Sequence, residues 1–209
     1  MSLLAVMAIL GPALVGIMVG AWLLQKRTGN IGWVDVVWTF GTGAIGACAA
    51  LIPSSTGAPM TWRQLVVAGL ACVWSIRLGI HVALRVARTA EDRRYVALRA
   101  TWGKGLQPRL FWFLQAQAMC ATLLAVAMFV AAHNPAPAVR LLDIAAIAVL
   151  VAAICGEALA DRQLQCFTAD PDNKGRVCNV GLWAWSRHPN YFFEWLVWLA
   201  YPLFAFGAD

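Results

Sequence analysis

The run Arg187-His188-Pro189-Asn190-Tyr191-Phe192-Phe193-Glu194 packs basic, amide, phenolic and acidic side chains into eight residues near the C-terminus. Pro189 suits the first position of a helix and pushes His188 towards an extended conformation, so Asn190 and Glu194 fall four apart on one helical face. Glu194 then stands about a turn inside an apolar segment. A carboxylate at the centre of a membrane helix costs on the order of 2.5–3.5 kcal/mol, less near the interface, and calls for a donor partner or a polar cavity. One reading pairs Glu194 with Arg187 or Arg176 at the headgroup level. The other makes the segment a binding or catalytic site, which the crowding of His, Asn, Tyr, Arg and Glu favours.

Three further groups have spacings that do chemistry. Glu157, Asp161 and Gln165 recur every four residues and share a helix face, just before the turn-rich Asp170-Pro-Asp-Asn-Lys-Gly-Arg176. Residues 88–99 read Arg-Thr-Ala-Glu-Asp-Arg-Arg-Tyr-Val-Ala-Leu-Arg. There Glu91 and Asp92 can pair with Arg94, Arg88 or Arg99, giving either a solvated interfacial helix held by ion pairs or an arginine cluster for phosphate oxygens. Arg77, His81 and Arg85 also lie four apart; only the last reaches water easily by snorkelling, so Arg77 and His81 face a polar interior. His81 is then either a satisfied structural histidine or a cavity lining. Asp35, in Gly32-Trp-Val-Asp-Val-Val-Trp38, is placed to pair with Arg77 or Arg85.

The elements that position these groups follow from composition. The chain has 209 residues, 61% apolar and 12% charged, against about 45–50% and about 25% in an ordinary soluble domain. Lipid must be the solvent for most of it, which excludes a disordered chain, a disulfide scaffold and a nucleic-acid module. Six apolar stretches stand out: Leu3–Leu24, Val34–Ile52, Leu65–Leu84, Leu110–Ala132, Leu141–Ala160 and Tyr191–Phe206. Five are near the roughly 20 residues a helix needs to cross a bilayer; the sixth is short and holds Pro202. With no β alternation, the expected fold is all-α: a polytopic transmembrane helical bundle of about six spans, forming a single domain over residues 1–209.

Charge sets the expected orientation. Thirteen of the 16 Lys/Arg residues fall in the loops after the first, third and fifth spans, and the positive-inside rule makes those loops cytoplasmic and the N-terminus external. The net charge of +6 is then mainly topology. The two long loops, 85–109 and 161–189, are both cytoplasmic on this scheme, and function concentrates in such loops. The six cysteines include no CxxC pair and no Cys/His cluster, so they read as reduced packing residues and no metal site is expected. Of the 11 Trp residues, Trp33, Trp38, Trp62, Trp102, Trp112 and Trp183 fall near span boundaries, where amphipathic rings settle.

The segment Gly181-Leu-Trp…Ser186-Arg-His-Pro-Asn-Tyr-Phe…Glu194, with Glu-Asp-Arg-Arg-Tyr upstream and Val34-Asp-Val-Val-Trp38 near the start, resembles bacterial membrane proteins related to steroid 5-alpha-reductases. The wider superfamily includes sterol reductases and isoprenylcysteine carboxyl methyltransferases, which also carry Arg-His-Pro-x-Tyr. The resemblance implies an NADPH site facing the cytoplasm of a bacterial inner membrane. It sets Asn190 and Glu194 near the nicotinamide, with Asp161 and Glu157 on the preceding helix and Arg176 in the connecting loop. It also implies a further C-terminal helix after Asp209.

The activity expected on this basis is NADPH-dependent reduction of a C=C bond in a lipophilic, steroid- or isoprenoid-like enone that arrives from the membrane lipids. Tyr95 or His81 would polarise the carbonyl, with Asp35 orienting the donor. Asn190 and Glu194 would hold the carboxamide, flanked by Tyr191 and His188, while Arg93, Arg94, Arg176 and Arg187 would meet phosphates. The runner-up is methyl transfer from S-adenosylmethionine, whose cationic cofactor suits the acidic face Glu157/Asp161. A third class is a non-catalytic lipid-binding bundle. No nucleic-acid partner is expected.

Overall fold

In the computed structural model, which describes residues 2–53 and 59–207, the chain folds as seven α-helices: α1 (Leu3–Thr28), α2 (Trp33–Ala50), α3 (Trp62–Arg88), α4 (Arg93–Trp102), α5 (Leu106–Ala132), α6 (Leu141–Ala169) and α7 (Pro189–Ala205). Short 3-10 turns occupy Gly103–Gly105, Pro171–Asn173 and Gly181–Ala184. Five helical segments are long and apolar enough to cross a membrane: α1, α2, α3, the continuous stretch Arg93–Ala132 that joins α4 to α5, and α6. The shorter α7, with Pro202 near its end, is the sixth apolar helix.

Several helices outrun their apolar stretches, which shortens the expected loops. α3 continues to Arg88 and α6 to Ala169, so much of the polar sequence after the third and fifth spans is helical. Caps account for the starts. Ser2 accepts from the Ala5 N–H, Thr61 and Gln64 form a capping box on α3, and Asp92 accepts from the Arg94 N–H at the start of α4.

The helices group into two compact units, Met1–His133 and Asn134–Asp209. In the N-terminal unit, α1 packs on α5 and α2, and α2 also packs on α3 and α5. Val6, Leu10, Leu14 and Met18 make a buried stripe at four-residue spacing on α1, and Leu110, Leu114, Ala118, Ala121 and Ala125 make one at three- and four-residue spacing on α5. The small residues Gly41, Thr42, Gly43, Gly46 and Ala47 of α2 are all buried, the composition that lets helix backbones approach closely in lipid. One end of this unit is tied by polar contacts among α1, α4 and α5: Gln25 Nε2 donates to Gln107 Oε1 at 2.9 Å, and Arg99 Nη2 donates to the Gly29 carbonyl at 2.6 Å.

In the C-terminal unit α6 and α7 pack as a hairpin. Gly156 is what lets them meet, because a Cβ there would overlap the Phe193 ring. The last carbonyls of α7, which have no helical partner, accept from the start of the unit. Arg140 donates to Phe204 O at 2.7 Å and to Phe206 O at 2.6 Å, and Asn134 Nδ2 donates to Phe204 O at 2.8 Å. Arg140 also grips the fully buried Asp143 at 2.9 Å.

Candidate functional site

Two polar constellations carry the residues singled out above, one in each unit. The first assembles where α4 begins. Glu91, in the link before α4, accepts from the Ile31 backbone N–H at 2.7 Å and from Arg99 Nε at 2.8 Å. These bonds fasten the start of α4 to the start of α2. As a result Tyr95, only 4% exposed, meets Asp35: its phenolic O–H donates to Asp35 Oδ1 at 2.6 Å. Arg94 reaches the other oxygen of Asp35 at 3.4 Å while gripping Asp92 at 3.2 Å, and Arg85 stands 3.9 Å from Asp92.

This network differs from the local spacings in two ways. Asp35 takes hydrogen bonds from Tyr95 and Arg94, which its own surroundings in sequence do not announce, because the Glu91–Ile31 bond delivers α4 to it; Arg85 acts on it through its charge. Arg88 takes no part in the ion pairs; it stays exposed, as does Arg93, and neither has an ion-pair partner among the described residues. His81 lies half-buried on α3, one turn before Arg85.

The electrostatics follow from the pairing. Burial alone would raise the Glu91 carboxyl, but the bonds from Arg99 and from the Ile31 N–H outweigh it and hold the group below its usual 4.5. Asp92 is likewise held below 3.8: its burial is outweighed by hydrogen bonds from the Arg94 side chain and backbone and by the nearby guanidinium charges. A recess of about 60 Å³ opens beside the network, lined in part by Asn30, Gly32, Asp35, Arg85, Thr89 and Glu91. That holds a few waters or one small polar group, well short of the roughly 300–1,000 Å³ of a small-molecule cleft.

The second constellation lies on the α6–α7 hairpin. Glu157 and Asp161 are 4% and 8% exposed, while Gln165, a turn further on, is exposed. Asn190, in the first turn of α7, donates from Nδ2 to Asp161 Oδ1 at 3.5 Å, and its own Oδ1 is buried with no hydrogen-bond partner. One turn along, Glu194 Oε1 accepts from the Trp198 indole at 3.1 Å. Arg187 and Arg176 are exposed and neither pairs with Glu194, so the headgroup ion pair considered from sequence does not form. His188 precedes α7 with φ −146° and ψ 61°, and its ring stacks on that of Tyr191 at 5.2 Å, both side chains exposed.

Two residues outside the expected set organise this unit. Gln163 Oε1 accepts from the Leu182 N–H at 2.9 Å, and the Trp183 indole donates to the Ala160 carbonyl at 2.9 Å. Together they clasp the Gly181–Ala184 turn onto α6. Gly181 has φ +56°, and a Cβ on it would collide with the Gln163 side chain, so glycine is required twice over. The Gly-Leu-Trp sequence was the available signal for this turn; the identity of its partner on α6 is set by tertiary packing. Trp183 is therefore a turn clasp.

Asp35, Tyr95 and Arg94 thus come together in the N-terminal unit, and Asp161 and Asn190 in the C-terminal one, with Glu157 and Glu194 on the same two helices. Five long apolar helices and two polar constellations define an integral membrane protein of the helical class. The chain belongs to the family described as Protein of unknown function (DUF1295), which matches it over residues 21–209. It is also 29% identical over 217 residues to Uncharacterized protein C594.04c of Schizosaccharomyces pombe. That alignment covers 88% of this chain and 63% of the yeast protein, so the chain spans less than two thirds of its relative's length. No solved structure matches it.

Proposed function

We propose that this protein is a membrane-embedded reductase that uses NADPH to reduce the activated C=C bond of a lipophilic, steroid- or isoprenoid-like enone. The observation that carries the reading is the 2.6 Å hydrogen bond from Tyr95 to Asp35. A buried phenol held by a carboxylate is a preorganised donor of the kind that stabilises charge developing on a carbonyl oxygen. On substrate arrival the Tyr95 O–H turns from Asp35 to that oxygen. Arg94 then remains on Asp35 and keeps its carboxylate compensated.

NADPH, when bound, supplies the hydride. The α6–α7 hairpin fits its amide end, because the orphaned Asn190 Oδ1 is an acceptor in want of an N–H and a carboxamide offers one. Glu194 sits one turn further along the same helix. For the phosphates, Arg93, Arg176 and Arg187 are exposed and have no ion pair among the described residues. Arg94 is the weaker candidate of the expected set, since Asp92 and Asp35 already occupy it. A second reading, methyl transfer from S-adenosylmethionine, is supported by the buried carboxylates Glu157 and Asp161, which suit a cationic cofactor.

The test is NADPH oxidation by the detergent-purified protein across a panel of lipophilic enones. Wild type is expected to turn over, and Tyr95→Phe to lose roughly 10²–10³ in kcat, the scale of one lost oxyanion donor. Unchanged kcat in Tyr95→Phe would remove the donor assignment. No turnover of any enone, with methyl transfer from S-adenosylmethionine in the same preparation, would replace the reductase by the methyltransferase. No response to either cofactor would favour a lipid-binding bundle.

A further inference from the structure

The face of α6 turned away from its buried residues bears a groove that belongs to neither constellation. Leu159, Arg162, Gln163, Cys166 and Phe167 recur at the three- and four-residue spacings of a single helical stripe, and Val180, on the approach to the clasped turn, completes the wall. The groove is open and encloses about 430 Å³, within the range that holds an alkyl chain or a small ligand. Ala160 and Asp161, between the stripe residues in sequence, point into the fold instead.

Its polarity is lopsided. Leu159, Cys166, Phe167 and Val180 are apolar, and the Gln163 oxygen is spent on the Leu182 N–H. Arg162 is exposed, with no hydrogen bond and no ion pair among the described residues. A long apolar floor with one uncompensated guanidinium calls for an amphiphile whose charge is negative. Position narrows the class. A helix needs about 20 residues to cross the hydrocarbon, and counted from Leu141 that length ends near Ala160. Leu159 is then level with acyl chains and Arg162 with phosphates, while Cys166 and Phe167 continue beyond the hydrocarbon, where an apolar surface is wet unless something covers it.

We infer that this groove binds an anionic phospholipid, with its phosphate on Arg162, an acyl chain descending along Leu159 and the rest of its headgroup lying over Cys166, Phe167 and Val180. Guanidinium forks match phosphate oxygens bidentately, and a zwitterionic headgroup brings its own cation to the same place and loses that advantage. The inference stands independently of the reductase reading, whose residues lie elsewhere.

Cys166 is an exposed thiol inside the groove, whereas Cys178, just before Val180, is buried, so the protein carries both a reporter and a control. The experiment is site-resolved maleimide labelling of the full chain in detergent, with phosphatidylglycerol, phosphatidylcholine of the same acyl chains, or glycerol phosphate added. Phosphatidylglycerol is expected to slow Cys166 labelling roughly tenfold, the equivalent of about 1.4 kcal/mol in occupancy. The other two are expected to slow it less than about twofold on the same scale. Arg162→Gln should bring the anionic lipid down to the level of phosphatidylcholine, Arg162→Lys should retain most of the protection, and Cys178 should stay unlabelled in every fold-competent variant. Equal protection by phosphatidylcholine in wild type would overturn the proposal, as would protection by glycerol phosphate alone or full protection surviving in Arg162→Gln.

Discussion

At the start of α4 the acidic side chains are closed off: Asp35 by Tyr95 and Arg94, Glu91 by Arg99 and the Ile31 N–H, Asp92 by Arg94. On the α6–α7 hairpin Asn190 keeps a buried oxygen without a donor, and Arg162, Arg176 and Arg187 are exposed and have no ion pair among the described residues. The first arrangement resembles a preorganised machine part, since a satisfied network fixes the geometry of every group in it. The second resembles a receptor, since an orphaned buried acceptor is a cost that a ligand's N–H removes. The proposed roles, donor for Tyr95 and amide acceptor for Asn190, each rest on one side of this contrast.

The contrast can be broken most sharply at Tyr95. Beyond its effect on kcat, Tyr95→Phe removes the 2.6 Å bond to Asp35, leaving it the longer one from Arg94. The loss of roughly 10²–10³ in turnover should therefore come with little change in KM. Glu91→Ala comes next. It strips a charge-assisted bond from Arg99 and the tie to Ile31, and should destabilise by about 1.5–3 kcal/mol in chemical or thermal unfolding. A pH series sharpens the same point. Glu91 and Asp92 are held below 4.5 and 3.8, so their stabilisation is complete above about pH 5 and is lost as pH falls through the depressed folded values. Wild type should lose thermal stability on acidification below about pH 4, and Glu91→Gln should show a flatter profile there.

On the other side of the comparison, Gly156→Ala sets a methyl against the Phe193 ring and should cost about 1–3 kcal/mol as an overpacked contact, read as a lowered melting temperature. The smallest effect is expected at Asn190. Its bond to Asp161 is long, at 3.5 Å, and its oxygen is unsatisfied, so Asn190→Leu should leave apo stability within about 0.5 kcal/mol of wild type while abolishing stabilisation by the cofactor. A large apo destabilisation would mean that the amide is structural and that the contrast between the units fails at this residue.

The apolar helices were legible in the sequence because lipid demands long uninterrupted runs, and five of the six stretches became helices that meet the length and hydropathy needed to span. Their ends were not. α3 and α6 continue into Arg88 and Ala169 because nothing in the chain stops a helix when its side chains turn polar. Local pairings were partly readable: Glu91 with Arg99 and Asp92 with Arg94 are separated by eight and two residues. The partner of Asp35 lies 60 residues away and arrives only because Glu91 fastens α4 to Ile31. Spacing along α3 pointed to Arg77 and Arg85, and the Arg85 charge does act on Asp35, but spacing is blind to a helix that returns from elsewhere. The Gln163 clasp and the Arg162 groove escaped for the same reason. Each depends on which face of α6 meets the turn at Gly181, a fact of packing.

The central claim is tested most directly by thermal stabilisation of the purified protein by NADPH, NADH and S-adenosylmethionine in parallel. NADPH at a hundred times its Kd should stabilise wild type by about 2.7 kcal/mol, and the effect should vanish in Glu194→Gln while the apo melting temperature is kept. Stabilisation by S-adenosylmethionine alone, or an NADPH response untouched in Glu194→Gln, would contradict the account.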